Sequence, residues 1–297
     1  MTPAAPGTVP PPAPLAPLAP LTWLYVPGDR PDVVAKALGC GADIVLVDLE
    51  DAVAPDRKDY ALRATADLLA DPAPGPAPVH VRVNTLDGPR AATEIRTLAA
   101  LPGLAGLRLP KVHGPAGIHR AVALARTALP APAAPPALYA LLESALGIEH
   151  AFAIATAHPA LHGIALGEAD LRAELGVRDE AGLAWPRSRT VVAARAAGLA
   201  PPPQSVYPDV RDLDGLAASC AHGRSLGFLG RAAIHPRQLP VIEAAHLPGA
   251  EEIETAEEIV KAATTEAGAL ALPDGRFVDA AVVAGAQRVL ALADRRR

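Results

Sequence analysis

From Leu21 onward, short apolar runs alternate with helix-like stretches in a regular beat, and this alternation limits what the chain can fold into. Candidate strands are Thr22–Val26, Asp43–Val47, Val79–Val83, Gly106–Leu109, Ala137–Leu142, Gly163–Leu166, Gln204–Val206 and Gly227–Ile234. Runs this short and continuously apolar suit strands of a parallel sheet covered on both faces. Segments with helical spacing lie between them: Asp32–Leu38, Lys58–Leu69, Ala91–Ala100, Ala116–Ala128 and Arg187–Ala197. Eight βα beats in about 215 residues predict an α/β fold of the (β/α)8 TIM-barrel type, with a doubly wound open sheet as the alternative.

Three predicted regions follow. Residues 1–20 form a Pro/Ala-rich tail that reads as disordered or polyproline-like and fits neither a signal peptide nor a membrane anchor. Residues 21–247 make the catalytic barrel. Residues 248–297 form a C-terminal helical extension, which either packs as an extra helix pair or reaches over a neighbouring subunit as a lid.

A net charge of −5 supplies no basic patch for nucleic acid or an anionic membrane, so small-molecule chemistry is the default. Cys40 and Cys220 are too few for a disulfide framework and read as reduced thiols of a cytoplasmic protein. No His-Glu-x-x-His signature indicates zinc. His235, in Ile234-His235-Pro236, reads as a turn residue making a structural hydrogen bond.

Chemistry concentrates where apolar runs stop. Leu138–Leu142 ends in Glu143, and Ile164-Ala165-Leu166 runs into Gly167-Glu168-Ala169-Asp170. Acids just beyond buried parallel strands belong on the rim of a sheet, and converging carboxylates suit a hard cation such as Mg²⁺. Ile44–Val47 runs into Asp48, Glu50 and Asp51, three acids that repel unless a cation or an arginine compensates them. Arg82, near the end of Val79–Val83, either pairs with those acids or grips a substrate carboxylate through its fork, and both roles are compatible. Arg30 is placed to bind an anionic group or to sit in a surface turn, and Lys111 reads as an electrostatic contributor rather than a Schiff-base nucleophile.

Taken together, Val26-Pro27-Gly28-Asp29-Arg30-Pro31, Asp48-Leu49-Glu50-Asp51-Ala52-Val53, Val81-Arg82-Val83-Asn84, Leu109-Pro110-Lys111-Val112, Leu142-Glu143-Ser144-Ala145-Leu146-Gly147, Leu166-Gly167-Glu168-Ala169-Asp170-Leu171 and Ile234-His235-Pro236 resemble, in order, the citrate lyase beta-subunit-like branch of the HpcH/HpaI aldolase superfamily. The resemblance implies a TIM barrel that uses Mg²⁺, or Mn²⁺, to cleave or form a carbon–carbon bond. The implied substrates are an acyl-CoA or hydroxyacyl-CoA thioester, such as malyl-CoA or citramalyl-CoA, and a 2-oxo acid. By motif, Glu143 and Asp170 resemble the metal ligands and Arg82 the carboxylate clamp, while Glu50 and Asp51 resemble acids that order water and shape the pocket. Gly275-Arg276-Phe277-Val278-Asp279 resembles a C-terminal segment whose aspartate exchanges a proton with substrate, often from an adjacent subunit, which implies a homo-oligomer, a trimer or hexamer. Gln204 departs from the pattern, standing where relatives commonly carry an acid. Two alternative activities stay open: a class II aldolase joining pyruvate or oxaloacetate to an aldehyde, and a citrate lyase beta subunit acting on a carrier-protein thioester.

Overall fold

In a computed structural model of the 297-residue chain, the described residues are 19–265, 270–272 and 275–296. The predicted tail lies almost wholly outside them. Contacts divide the chain into two compact units, Pro20–His246 and a C-terminal unit containing Leu247–Arg297.

The larger unit is built on a parallel sheet of β1 (Thr22–Pro27), β2 (Ile44–Asp48), β3 (Val79–Arg82), β4 (Leu104–Leu109), β5 (Leu138–Leu142), β6 (Leu161–Leu166) and β7 (Arg231–Ala233). The spatial order is β6-β5-β4-β3-β2-β1-β7, so six strands add in sequence order and β7 closes on the free side of β1. Crossovers run through α1 (Pro31–Leu38), α2 (Lys58–Leu69), α3 (Ala91–Leu98), α4 (Pro115–Arg126), α5 (Ala145–Glu149), α6 (Ala151–Ala155), α7 (Glu168–Leu175), α8 (Ala184–Ala196) and α9 (Leu213–Ser225), and α10 (Leu239–His246) follows β7.

Alternation along each strand separates two environments. Val45 and Val47 of β2, Val79 and Val81 of β3, and Leu107 and Leu109 of β4 join Val34 and Leu38 of α1 and Ala61 of α2 in one apolar core. The intervening positions turn the other way. There Asp48 pairs in register with Arg82, Arg82 with Arg108, and Arg108 with Tyr139, setting a line of charges and aromatics across four neighbouring strands.

The predicted eight-stranded barrel is observed as seven strands. Gln204–Val206 makes one isolated bridge, Gln204 to Arg231, instead of a strand. Pro201, Pro202 and Pro203 precede it and Pro208 follows, so the positions that would extend its pairing lack N–H groups. On its other side Ser205 substitutes a side chain for a ladder: its hydroxyl accepts from the Glu168 N–H (3.1 Å) and donates to the Leu166 carbonyl. The last predicted strand also begins late, because Gly227 (φ 93°) and Gly230 (φ 77°) turn the chain first. A Cβ on Gly230 would overlap the backbone of Leu21.

In the C-terminal unit α11 (Ala250–Thr265) packs on α12 (Ala280–Ala293), joined by a small antiparallel pair, β8 (Leu270–Ala271) and β9 (Phe277–Val278). No helix among the described residues is long and apolar enough to cross a membrane.

Candidate active site

A cavity of about 720 Å³ opens among residues between Tyr25 and Ile234. Asp48, Asp51, Arg82, Glu143 and Asp170 all line it, which brings together acids that the sequence carries on three separate βα units.

The strand 2 acids are organised around Arg82. Its Nε donates to Asp48 Oδ1 at 2.7 Å and its Nη2 to Asp48 Oδ2 at 2.6 Å, while Nη1 lies 2.9 Å from Glu50 Oε2. Burial opposes the guanidinium charge, but Asp48 outweighs it and holds Arg82 above its ordinary pKa. Asp48 also accepts from the backbone N–H groups of Glu50 (2.9 Å) and Ala52 (3.0 Å), so one carboxylate both fixes Arg82 and shapes the turn that presents Glu50. Lys58 Nζ secures that turn from below by donating to the carbonyls of Leu49 (2.8 Å) and Glu50 (2.6 Å).

Glu50 is itself bridged. Lys111 Nζ donates to its Oε1 at 2.7 Å and lies 3.7 Å from the exposed carboxylate of Asp51. Burial raises the Glu50 carboxyl, with Arg82 and Lys111 pulling the other way. Lys111 is the single non-glycine residue with positive φ (53°) among those described, a conformation that costs an L residue energy. That backbone geometry coincides with two interactions at once, since the Lys111 N–H donates to Glu143 Oε2 at 2.8 Å.

Glu143 follows β5 directly and is 5% exposed. Burial pushes its carboxyl up to about 7, and the neighbouring charges of Glu50 and Asp170 add to the rise. Asp170 lies one strand over, in the first turn of α7, and makes no ion pair among the described residues. Glu168, the acid nearer the end of β6, is instead occupied: Arg187 donates to both its oxygens at 2.7 Å. Between them Gly167 leaves room for Glu143, because a Cβ at that position would overlap the Glu143 carboxylate. Two acids crowded against like charge, one buried and the other unpaired, with a glycine cradle between, match what a Mg²⁺ ion takes from a protein: one or two carboxylates, with water and substrate for the rest. No cluster of three or more His, Cys, Asp or Glu suited to a metal occurs among the described residues.

The other predicted residues separate. Arg30 is exposed at the entry to α1 and does not line the cavity. His235 keeps the predicted turn role, its Nδ1 accepting from the Arg237 N–H at 3.1 Å. Gln204 is buried, its Nε2 donating to the Ser219 carbonyl at 3.0 Å. Asp279 belongs to the C-terminal unit, where its Oδ1 caps α12 by accepting from the Val282 N–H at 2.9 Å. The sequence marks Asp48 only as one of three acids and does not single out Gly167 or Arg108. Arg108, a lone arginine between two leucines in a buried strand, was the available signal.

A family model described as HpcH/HpaI aldolase/citrate lyase matches residues 21–236. A (3S)-malyl-CoA thioesterase of Cereibacter sphaeroides is 36% identical over 277 residues, covering 91% of this chain and 93% of the relative. The citrate lyase subunit beta of Leuconostoc mesenteroides subsp. cremoris is 33% identical, with 92% and 93% covered. Among solved structures, the protein CitE of Mycobacterium tuberculosis in complex with magnesium, acetoacetate and coenzyme A superposes with a TM-score of 0.77 at 32% identity, covering 93% of this chain and 99% of that one. A family match across most of the chain, joined to relatives this similar over nine tenths of it, makes the chain a member of the HpcH/HpaI aldolase/citrate lyase family of enzymes.

Proposed function

We propose that the chain is a Mg²⁺-dependent carbon–carbon lyase that splits a 3-hydroxyacyl-CoA-type thioester into an acyl-CoA and a 2-oxo acid, or joins them in reverse. The observation that carries this reading is the pairing of Glu143 and Asp170 beyond the adjacent strands β5 and β6, over the cavity that also holds the Asp48–Arg82 pair. The magnesium and coenzyme A bound by the M. tuberculosis relative support it.

Glu143 and Asp170 would hold the ion, which as a Lewis acid and template polarises the oxygens of a bound 2-oxo acid unit. Beyond the two N–H groups given to Asp48 and the Nη1 contact with Glu50, Arg82 keeps two N–H donors, and these neutralise and orient the substrate carboxylate. In cleavage the substrate hydroxyl loses its proton to water ordered by Glu50 and Asp51, and the hydroxyl-bearing carbon becomes the new carbonyl. The bonding pair of the broken carbon–carbon bond passes to the thioester fragment as an enolate, and one proton delivered to that carbon completes the acyl-CoA. Asp279, presented by a neighbouring copy in a homo-oligomer, is the proton donor in this scheme.

The likeness to a malyl-CoA thioesterase makes hydrolysis the second reading, with water attacking the thioester carbonyl and CoA leaving. One assay separates the two. Purified protein with Mg²⁺ is given malyl-CoA, citramalyl-CoA and citryl-CoA, and products are followed by mass spectrometry. Release of a 2-oxo acid with an acyl-CoA carries the lyase reading. Free CoA with an intact hydroxy acid carries hydrolysis, and no turnover of any thioester sinks both.

A further inference from the structure

Five arginines line the cavity, and four of them have partners there. Arg82 pairs with Asp48, Arg172 and Arg187 with Glu168 and Glu180, and Arg231 donates to the Ser205 carbonyl and Cys220. Arg108 has neither a hydrogen bond nor an ion pair among the described residues, although it is 2% exposed and its Nε is fully buried. Its guanidinium carbon lies 5.6 Å from the Trp23 ring centre and 5.3 Å from that of Tyr139. Two aromatic contacts return less than it costs to strip water from a guanidinium. Neither tyrosine beside it supplies the missing charge, because burial raises the phenols of Tyr25 and Tyr139 and keeps them neutral.

The surroundings sharpen the imbalance. Arg108 pairs in register with Arg82 on the next strand, so two guanidinium-bearing side chains leave the same face at one level. Like charges directly across a ladder destabilise it unless compensated. Asp48 compensates Arg82 and Glu50 compensates Lys111, which leaves Arg108 as the uncompensated cation of this cluster.

We infer that Arg108 is a second anion subsite, which takes a carboxylate of the substrate other than the one held at the Arg82, Glu143 and Asp170 end. The 2-oxo acid released is then a dicarboxylate. A monocarboxylate such as pyruvate fills one end only and leaves Arg108 unpaired. The assignment rests on the 2-oxo-acid reading of the cavity and narrows it, making Arg108 a specificity-determining residue.

Trp23 stands beside Arg108, so tryptophan fluorescence, recorded in a Trp185→Phe background that removes the exposed second tryptophan, reports the subsite. Full-length protein in Mg²⁺ is titrated with freshly dissolved oxaloacetate and with pyruvate. The wild type is expected to bind oxaloacetate about tenfold or more tightly than pyruvate, the preference worth one charge-assisted fork. Arg108→Met, which keeps the bulk and loses the charge, is expected to reduce that ratio to about one. Arg108→Lys keeps the buried charge and serves as the second variant should the methionine fail to fold; it is expected to lower the preference by losing the fork. Pyruvate binding with no preference for oxaloacetate in the wild type overturns the subsite while sparing the 2-oxo-acid reading, whatever the variants do. A preference undiminished in either Arg108 variant also overturns it. Binding of neither acid in Mg²⁺ overturns both.

Discussion

Arg82 and Asp48, paired in register on adjacent strands, share two parallel hydrogen bonds of 2.7 and 2.6 Å, and that single contact organises one side of the cavity. The Asp48 side chain is buried and that of Arg82 is only 12% exposed, and Asp48 has two further backbone donors. Removing one partner of such a pair strands the other charge out of water. Asp48→Ala is therefore expected to lower unfolding free energy by about 3 kcal/mol in urea titrations, with Glu50 retaining part of the charge balance. A loss below about 1 kcal/mol would show that Glu50 alone suffices for Arg82.

Gly167 controls Glu143 by its absence of a side chain. Gly167→Ala places a methyl group against the Glu143 carboxylate and forces it to rotate, while the backbone at this position (φ −100°) accepts alanine without strain. Mg²⁺ affinity, read as the metal-induced shift in thermal midpoint, should fall tenfold to about a hundredfold. An unchanged metal response would remove Glu143 from the metal site.

Most of this arrangement was legible because parallel strands covered on both faces write themselves as apolar runs, and an acid ending such a run is conspicuous. β2 illustrates the point: all five of its residues are buried, and the acids begin at its last position. Gln204–Val206 shows the limit. Three residues cannot reveal whether their backbone is paired, and the flanking prolines were the better guide. α9 went unread, although Asp212 caps it by accepting from the Gly215 N–H, because its small and polar residues blur the apolar stripe. Arg108 was passed over because a strand pattern records burial and not the partner a buried charge requires.

The raised carboxyl of Glu143 sets a pH dependence with a definite sign. In the metal-free protein its pKa is about 7 against an ordinary 4.5, so the folded state binds more protons than the unfolded state between those values. Its contribution to stability is fully present below pH 4.5 and is lost as pH rises through 7. Glu143→Gln should therefore be more stable than the wild type in chelator at pH 8, by about 2 to 3 kcal/mol. Added Mg²⁺ should stabilise the wild type and leave the variant unmoved. A wild type that gains stability between pH 5 and 8 without metal, relative to Glu143→Gln, contradicts the assignment.

Asp279 offers a separation of structural from chemical roles. Asparagine caps a helix about as well as aspartate, so Asp279→Asn preserves the hydrogen bond from the Val282 N–H and holds α12 to within a few tenths of a kcal/mol. An amide has no carboxyl proton to give. If the aspartate completes the thioester product, Asp279→Asn should lower kcat about a hundredfold or more with KM little changed and the thermal midpoint preserved. Asp279→Ala should show the same kinetic defect plus about 1 kcal/mol of lost capping. Full turnover by Asp279→Asn, with Asp279→Ala merely less stable, would leave the residue a helix cap and require the proton to come from elsewhere.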